Sequence, residues 1–465
     1  MIHRSLRVLW GCAVLLALGP STHAQTRTVA EPSPAGRAAL SVPDNASQVD
    51  AGAHAATKSQ SLTLTLADAE VHALKNQPRL LAEQFRTQAA DKRVVESRSG
   101  YFPQAFGNLT AVEANGDTAV AAGALTTSSI STRAGGGTSI VQMITDFGRT
   151  SNLVQSAHFA AMAAGQNEEG VRQSVLMQVR EAYFTAQAAE SIRKTAQAVL
   201  DFRRVTLRQL SALAQSQLRS TLDVQFAQVM VSEAELAAVR AESNVLKAQA
   251  QLAASMGEEG ATNYTLTDEP LPASPDNDPS VYIDAAIASR PDLKALHLES
   301  ESTRHEARAQ RDLNFPTINA LAAGGEIPIH DSAVHHEYGA AGININIPLF
   351  NGGLYSARAA EARLEAKAAD KDGSLREVEI VRDVRVAWAD ARDAYQQIDV
   401  TQRLADEANV AMHLAQARYD AGLGSIVELN QAELNQTSAL ITAASARFDY
   451  LRSMTAFQFA LGDLH

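Results

Sequence analysis

The 465-residue chain has a single cysteine, Cys12. It lies in an N-terminal stretch with a basic start (Arg4, Arg7), an apolar run from Leu9 to Leu18, and small residues at Thr22-His23-Ala24 before Gln25. That is the layout of a cleaved export signal. Leu9-Trp10-Gly11-Cys12 loosely resembles a lipoprotein signal, but the apolar run continues past the cysteine, so Cys12 is expected to leave with residues 1–24. The mature chain would then have no disulfide framework and no thiolate metal site. Elsewhere no stretch approaches the ~20 apolar residues of a membrane-crossing helix. A membrane form would have to be a β-barrel, the other architecture that satisfies its backbone internally. The net charge of −12 excludes the basic face that a nucleic-acid partner requires. No nucleophile elbow, phosphate loop or His-Glu-x-x-His pattern stands out, so neither enzymatic activity nor a cofactor is expected.

Proline is confined to a few places: none occurs between Pro103 and Pro270, and none after Pro348. Interior proline breaks helices, so these two spans are free to hold very long ones. Aromatics are few, and alanine and glutamine abundant, a composition suited to an elongated molecule.

What is present is a duplication. After a Pro/Ala/Ser-rich segment at 25–60, expected to be poorly ordered, Asn76-Gln77-Pro78-Arg79-Leu80 returns as Ser289-Arg290-Pro291-Asp292-Leu293. Tyr101-Phe102-Pro103 returns as Asn314-Phe315-Pro316 at the same shift of 213. Further on, Ser220-Thr221-Leu222-Asp223-Val224 matches Ser425-Ile426-Val427-Glu428-Leu429, and Met256-Gly257 matches Leu461-Gly462, at a shift of 205. Two constant offsets over such lengths mark a duplicated unit rather than a solenoid. The units are residues 61–257 and 281–465, with a linker at 258–280.

Within each unit the periodicity changes. Val381, Val384, Trp388, Ala391, Tyr395 and Ile398 keep the 3-4 spacing of a coiled-coil seam, echoed by Leu176, Val179, Tyr183 and Ala186. From Asn351 to Ala415 such a helix would be a rod of roughly 95 Å. Ahead of it, Ile343, Ile345 and Ile347 alternate with Asn344 and Asn346, which predicts a strand with an apolar and a polar face. Its partner runs from Thr317 to about Gly325, with Pro328 in the loop between. The first-copy strands are expected at about 104–115 and 133–143, the second weakened by Gly135-Gly136-Gly137. A small, flexible loop through Gly116-Asp117 and Thr126 to Ser131 would join them. The hairpins thus fall at about 103–143 and 316–348, and the long helices at about 147–257 and 351–462. Two hairpins give four strands per chain, of a length that crosses an outer membrane when tilted. Four cannot close a barrel, and eight would enclose only side chains, but twelve from three chains leave a lumen. The alternating strand would then turn its isoleucines to lipid and Asn344 and Asn346 to the lumen.

This layout resembles the TolC-like outer membrane efflux proteins over about Leu62 to Gly462. The resemblance is carried by Asn76-Gln77-Pro78, the Phe-Pro before each hairpin, Phe147-Gly148 and Phe350-Asn351-Gly352-Gly353 after each, and the turn Arg418-Tyr419-Asp420-Ala421-Gly422-Leu423-Gly424-Ser425. It implies a mainly α homotrimer with a twelve-stranded membrane β-barrel and a coiled-coil tunnel hanging into the periplasm. The function implied is that of an exit duct in the cell outer membrane, serving an adaptor and an inner-membrane pump. A soluble periplasmic coiled-coil adaptor or scaffold is the alternative, disfavoured by the duplicated strand-helix-helix unit.

By this resemblance the working residues cluster at the helix turns. Asp223 and Glu428 would place six carboxylates of a trimer around a narrow throat, favouring cations. The competing reading is that both are ordinary first-turn acids behind capping serines. Arg418 and Tyr419 are candidates for holding the tip shut. Gly422, Leu423, Gly424 and Ser425, with Leu218 and Ser220 of the first copy, form the surface an adaptor would grip. The first copy has Gln217 and Arg219 where the second has glycines, which leaves open whether the two turns share a shape. His330-Asp331 and His335-His336-Glu337 offer metal-binding side chains but fit no tight ligand spacing, so no metal site is assigned.

Overall fold

The structure, a computed structural model, describes residues 62–113, 118–122, 125–130, 133–260, 264–330 and 335–464. The expected export signal and the whole 25–60 segment that follows it lie outside these residues.

The first repeat runs β1 (Leu62–Leu64), α1 (Leu66–Asn76), α2 (Pro78–Ser99), β2 (Gln104–Val112), β3 (Thr118–Ala122), β4 (Leu125–Ile130), β5 (Arg133–Thr145), α3 (Arg149–Gln215) and α4 (Thr221–Met256). The linker carries β6 (Tyr264–Leu266), and the second repeat runs α5 (Ser280–Ser289), α6 (Pro291–Asp312), β7 (Thr317–Ile329), β8 (Glu337–Asn346), α7 (Leu354–Asp420) and α8 (Ile426–Leu461). The helices α3 and α7 have 67 residues each, and α4 and α8 have 36 each. At ~1.5 Å per residue these are rods of about 100 and 54 Å. The helices α2 and α6 begin 213 residues apart and α3 and α7 begin 205 apart, so the change of offset falls inside the hairpins.

The repeats are built alike at their corners. Pro78 and Pro291 open α2 and α6, where a missing N–H costs nothing. Gly257 and Gly462 end α4 and α8 with φ of 81° and 72°, and a Cβ on Gly257 would meet the Asn76 carbonyl at 2.7 Å. Midway along the long helices lies the main apolar core, with Leu80, Val179, Tyr183, Leu252 and Met256 buried in the first repeat. Leu293, Ile380, Val384, Ala391 and Phe457 form its second-repeat counterpart. Here β1 and β6 pair in parallel. The Tyr183 hydroxyl lies 3.0 Å from the Leu64 carbonyl and 2.9 Å from that of Thr267. Trp388, at the equivalent place in α7, donates to the Asp276 carbonyl at 2.8 Å. Of the second-copy seam, Val384 and Ala391 are fully buried, whereas Tyr395 stays partly exposed against Tyr450.

The hairpins combine into one antiparallel sheet of order β2-β5-β7-β8 with free edges at β2 and β8. Three expectations are corrected here. The strand β7 continues through Pro328 to Ile329, because the β5–β7 register shifts between Ala134 and Gly136 and a bulge tolerates a residue with no N–H to give. The glycine run does not shorten β5, which is 13 residues long. Instead it makes room, since a Cβ on Gly137 would fall 2.2 Å from the Tyr338 hydroxyl and one on Gly136 2.8 Å from Leu109. The third concerns the first hairpin's loop, where β3 and β4 pair as a ladder of their own; Thr126 to Ile130 belong to β4. Gly116 and Asp117 lie outside the described residues.

Candidate functional site at the helix turns

At one end of the molecule, α3 turns into α4 and α7 into α8. Both turns close with the same hydrogen bond, from Leu218 N to Leu213 O at 2.9 Å and from Leu423 N to Arg418 O at 2.8 Å. This is the glycine-type helix stop. Gly422 takes φ 72° and its counterpart Gln217 takes φ 61°, so the two turns share a shape although only one has the glycine. Gly424 sits in a close-fitting place, where a Cβ would lie 3.3 Å from Arg418, Tyr419 and Glu428 atoms alike. Ser220 caps α4 by accepting from Leu222 N, and Ser425 caps α8 by accepting from Glu428 N, each at 3.1 Å.

The two acids, alike in sequence position, have different partners. The Tyr419 hydroxyl donates to Asp223 Oδ2 at 2.7 Å, joining the second repeat's turn to the first's. Tyr419 is buried among Leu210, Ala227, Ala415 and Leu429. Burial, reinforced by the bond to Asp223 and its charge, pushes the tyrosine hydroxyl pKa well up, so it remains a donor at neutral pH. Glu428 stays within its own repeat, 3.2 Å from Arg418 Nε, while Arg418 Nη2 reaches the Leu423 carbonyl at 3.3 Å. Leu218 and Leu423, counterparts at the turn tips, are 71% and 74% exposed, and Leu222 and Val427 form a second exposed pair.

Two functional candidates were missed from sequence. Arg219, noted only as a non-glycine, stacks its guanidinium 4.2 Å from the Tyr419 ring centre. It donates to the Tyr419 and Asp420 carbonyls at 2.7 and 3.2 Å. It therefore caps the C-terminal end of α7 with a positive charge. The signal was the offset itself, which sets Arg219 opposite Gly424. Further up, Arg203 of α3 and Glu433 of α8 form a buried ion pair between the repeats; burial by itself draws the guanidinium pKa down. Neither residue has a charged counterpart at the 205 offset, so the repeat gave no hint of it.

On the sheet, Asn344 and Asn346 lie opposite Asn319 and Thr317 on one face, and Ile343 and Ile345 lie opposite Ala320 and Ile318 on the other. The His330 and His336 rings meet edge to face at 5.6 Å. Asp331 is outside the described residues, and among those described no group of three metal-ligating side chains comes together.

A family model described as outer membrane efflux protein matches residues 71–258 and 282–463, one stretch per repeat. The alkaline protease secretion protein AprF of Pseudomonas aeruginosa is 25% identical over 190 residues, 40% of this chain and 39% of its own. Protein CyaE of Bordetella pertussis is 26% identical over 63% of each chain. Outer membrane efflux protein BepC of Brucella suis biovar 1 is 23% identical over 87% of each. The chain thus spans less than two thirds of AprF and of CyaE but most of BepC. Among solved structures, the outer-membrane channel OprN superposes with a TM-score of 0.75 at 19% identity, covering 85% of this chain and 89% of OprN. The Campylobacter jejuni CmeC outer membrane channel gives 0.73 at 16% identity, covering 91% and 94%. Likeness at these identities establishes the fold.

Proposed function

Because this chain belongs to the outer membrane efflux protein family, we propose that three copies form a passive exit duct through the outer membrane. The observation that carries this reading is the open four-stranded sheet, with edges β2 and β8 unpaired, set on two pairs of very long helices. A soluble protein would cover such edges. Pairing β8 of one copy with β2 of the next closes twelve strands, enough for a lumen that Asn319, Asn344 and Asn346 would line. The helices then hang into the periplasm as a tunnel. Its turns meet an adaptor that bridges to an inner-membrane pump, and the exposed pairs Leu218/Leu423 and Leu222/Val427 offer that adaptor an apolar grip.

The gate lies at the same turns. Tyr419–Asp223 and the Arg219 bonds to the Tyr419 and Asp420 carbonyls tie the two helical hairpins of one chain together, while Arg418–Glu428 braces the second hairpin's own turn, and opening requires the ties between hairpins to part. Recording the purified mature chain in a planar lipid bilayer tests the duct: discrete, long-lived conductance steps are expected. A protein that stays soluble without detergent and never inserts would instead favour the adaptor or scaffold reading.

A further inference from the structure

Four junctions join the sheet to the helices, α2 into β2, β5 into α3, α6 into β7 and β8 into α7. The strand registers set all four at one end of the sheet. Each carries an exposed aromatic: Tyr101 and Phe102 at the first, Phe147 at the second, Phe315 at the third and Phe350 at the fourth. Phe102 is 66% exposed, and Phe350 with its neighbour Leu349 is 91% exposed. The Phe147 and Phe315 rings sit 6.2 Å apart, so the two central junctions are in contact. Phe147 keeps its ring although its backbone is left-handed, at φ 55°, where the second repeat has Gly352 at 64°. A bulky residue in that region is strained, and within this chain the ring gains no burial in exchange.

An arginine accompanies each aromatic. Arg98 and Arg311 stand in the last turns of α2 and α6, Arg149 opens α3, and Arg358 lies in the second turn of α7. Arg311 is paired with Asp312. Arg98, Arg149 and Arg358 have no ion-pair partner among the described residues; Arg98 and Arg358 are exposed, whereas Arg149 is half-buried with its Nε buried and without a hydrogen-bond partner. The junction acids are buried and engaged elsewhere: Asp146 accepts from Thr150 N at 2.6 Å, and Asp312 accepts from Asn152 at 2.8 Å. Arg98 and Arg358 therefore leave positive charge outward beside exposed rings, with Arg149 behind them.

We propose that this belt binds the headgroups of anionic phospholipids, of the phosphatidylglycerol class, in the periplasmic leaflet. The inference rests on the reading that the sheet crosses the outer membrane. Along β8 the apolar face runs from Ile345, opposite Ile318, to Glu337, opposite Glu326. Eight residue steps at ~3.3 Å, tilted by ~40°, give about 20 Å of height. The junction rings extend that to the ~25 Å apolar band of outer-membrane barrels, so they mark its lower edge. Rings at a membrane boundary take the headgroup level, and unpaired guanidinium groups beside them meet phosphates bidentately.

The test uses the mature protein carrying Phe350→Trp, reconstituted into vesicles of brominated lipid, with the unsubstituted mature protein as the background for Trp388. Quenching by brominated phosphatidylglycerol should exceed that by brominated phosphatidylcholine, with an apparent preference of about fivefold. Adding Arg98→Gln, Arg149→Gln and Arg358→Gln should bring the ratio to about one. If the triple variant does not assemble, Arg98→Gln or Arg358→Gln alone should lower the same ratio. Equal quenching by the two lipids, or a preference that survives the substitutions, would overturn the proposal. So would an absence of quenching in channels that still conduct, since a second copy would then cover the ring. A chain that inserts into no vesicle and gives no conductance would overturn the duct reading itself, and this belt with it.

Discussion

Gln217 and Phe147 are the two non-glycine residues with left-handed backbone among those described, and each stands where the other repeat has glycine. Sequence reading treated the mismatch at Gln217 as a possible change of turn shape. The backbone instead kept its shape, and the neighbouring Arg219, which stands where the other repeat has Gly424, found a use against Tyr419 that residue identity alone does not disclose. Gln217→Gly should therefore stabilise the protein by about 0.5–1 kcal/mol, strain relief exceeding the added freedom of the unfolded chain. Denaturant midpoints of the detergent-solubilised protein would measure it, and a lowered midpoint would mean Gln217 makes a contact worth more than the strain. Asp292 supplies a pH dependence. Burial would raise its carboxyl pKa, but the guanidinium groups of Arg290 and Arg376 outweigh that and hold it at about 2. A carboxyl held below its unfolded value of ~3.9 stabilises the fold above that pH and loses the contribution as pH falls towards 2. Wild-type thermal midpoints should drop between pH 4 and 2, and Asp292→Asn should flatten that window. The difference should be modest, since the side chain is 35% exposed and screened. At the gate, Asp223→Asn with Glu428→Gln should weaken cation selectivity, read as a shift of reversal potential in asymmetric salt; an unmoved potential would remove both acids from the throat.

At the scale of elements, the Arg203–Glu433 pair ties α3 of one repeat to α8 of the other without help from solvent. Removing one partner leaves the other charge buried, so Glu433→Ala should cost about 3 kcal/mol, whereas Arg203→Met with Glu433→Leu should recover most of it. Thermal midpoints of the three proteins decide this, and equal destabilisation by single and double variants would show that the charge is not the cause. The element types were legible because proline gaps, the 3-4 spacing at Val384 and Ala391, and the alternation at Ile343 to Ile347 are local patterns. What escaped were compensations across strands. Gly135 to Gly137 and Pro328 look like strand breakers in one dimension, yet Tyr338 fills the space over one and a register shift excuses the other.

For the whole molecule, the constant offsets exposed the duplication, and the duplication supplied the architecture. The count of three copies came from barrel closure, an argument about strand number rather than residue identity. Sedimentation in detergent should accordingly return a protein mass near three times that of one mature chain, and a monomer or dimer under native detergent would contradict it. The candidate site was less legible than the fold: the turn, its caps and its acids could be located, but the pairing of Tyr419 with Asp223 across the repeats depends on how α7 packs against α4.

The equal lengths of α3 and α7, and of α4 and α8, also act as a caliper. One residue gained or lost in any of the four would set its turn about 1.5 Å too high or too low and swing the side chains below it by about 100°. A level tip is therefore conserved only when four segments change together, so a single insertion or deletion in the shaft is expected to disturb the tip. The stretch between β2 and β5 is under no such gauge, and it is there that the first repeat carries its surplus length.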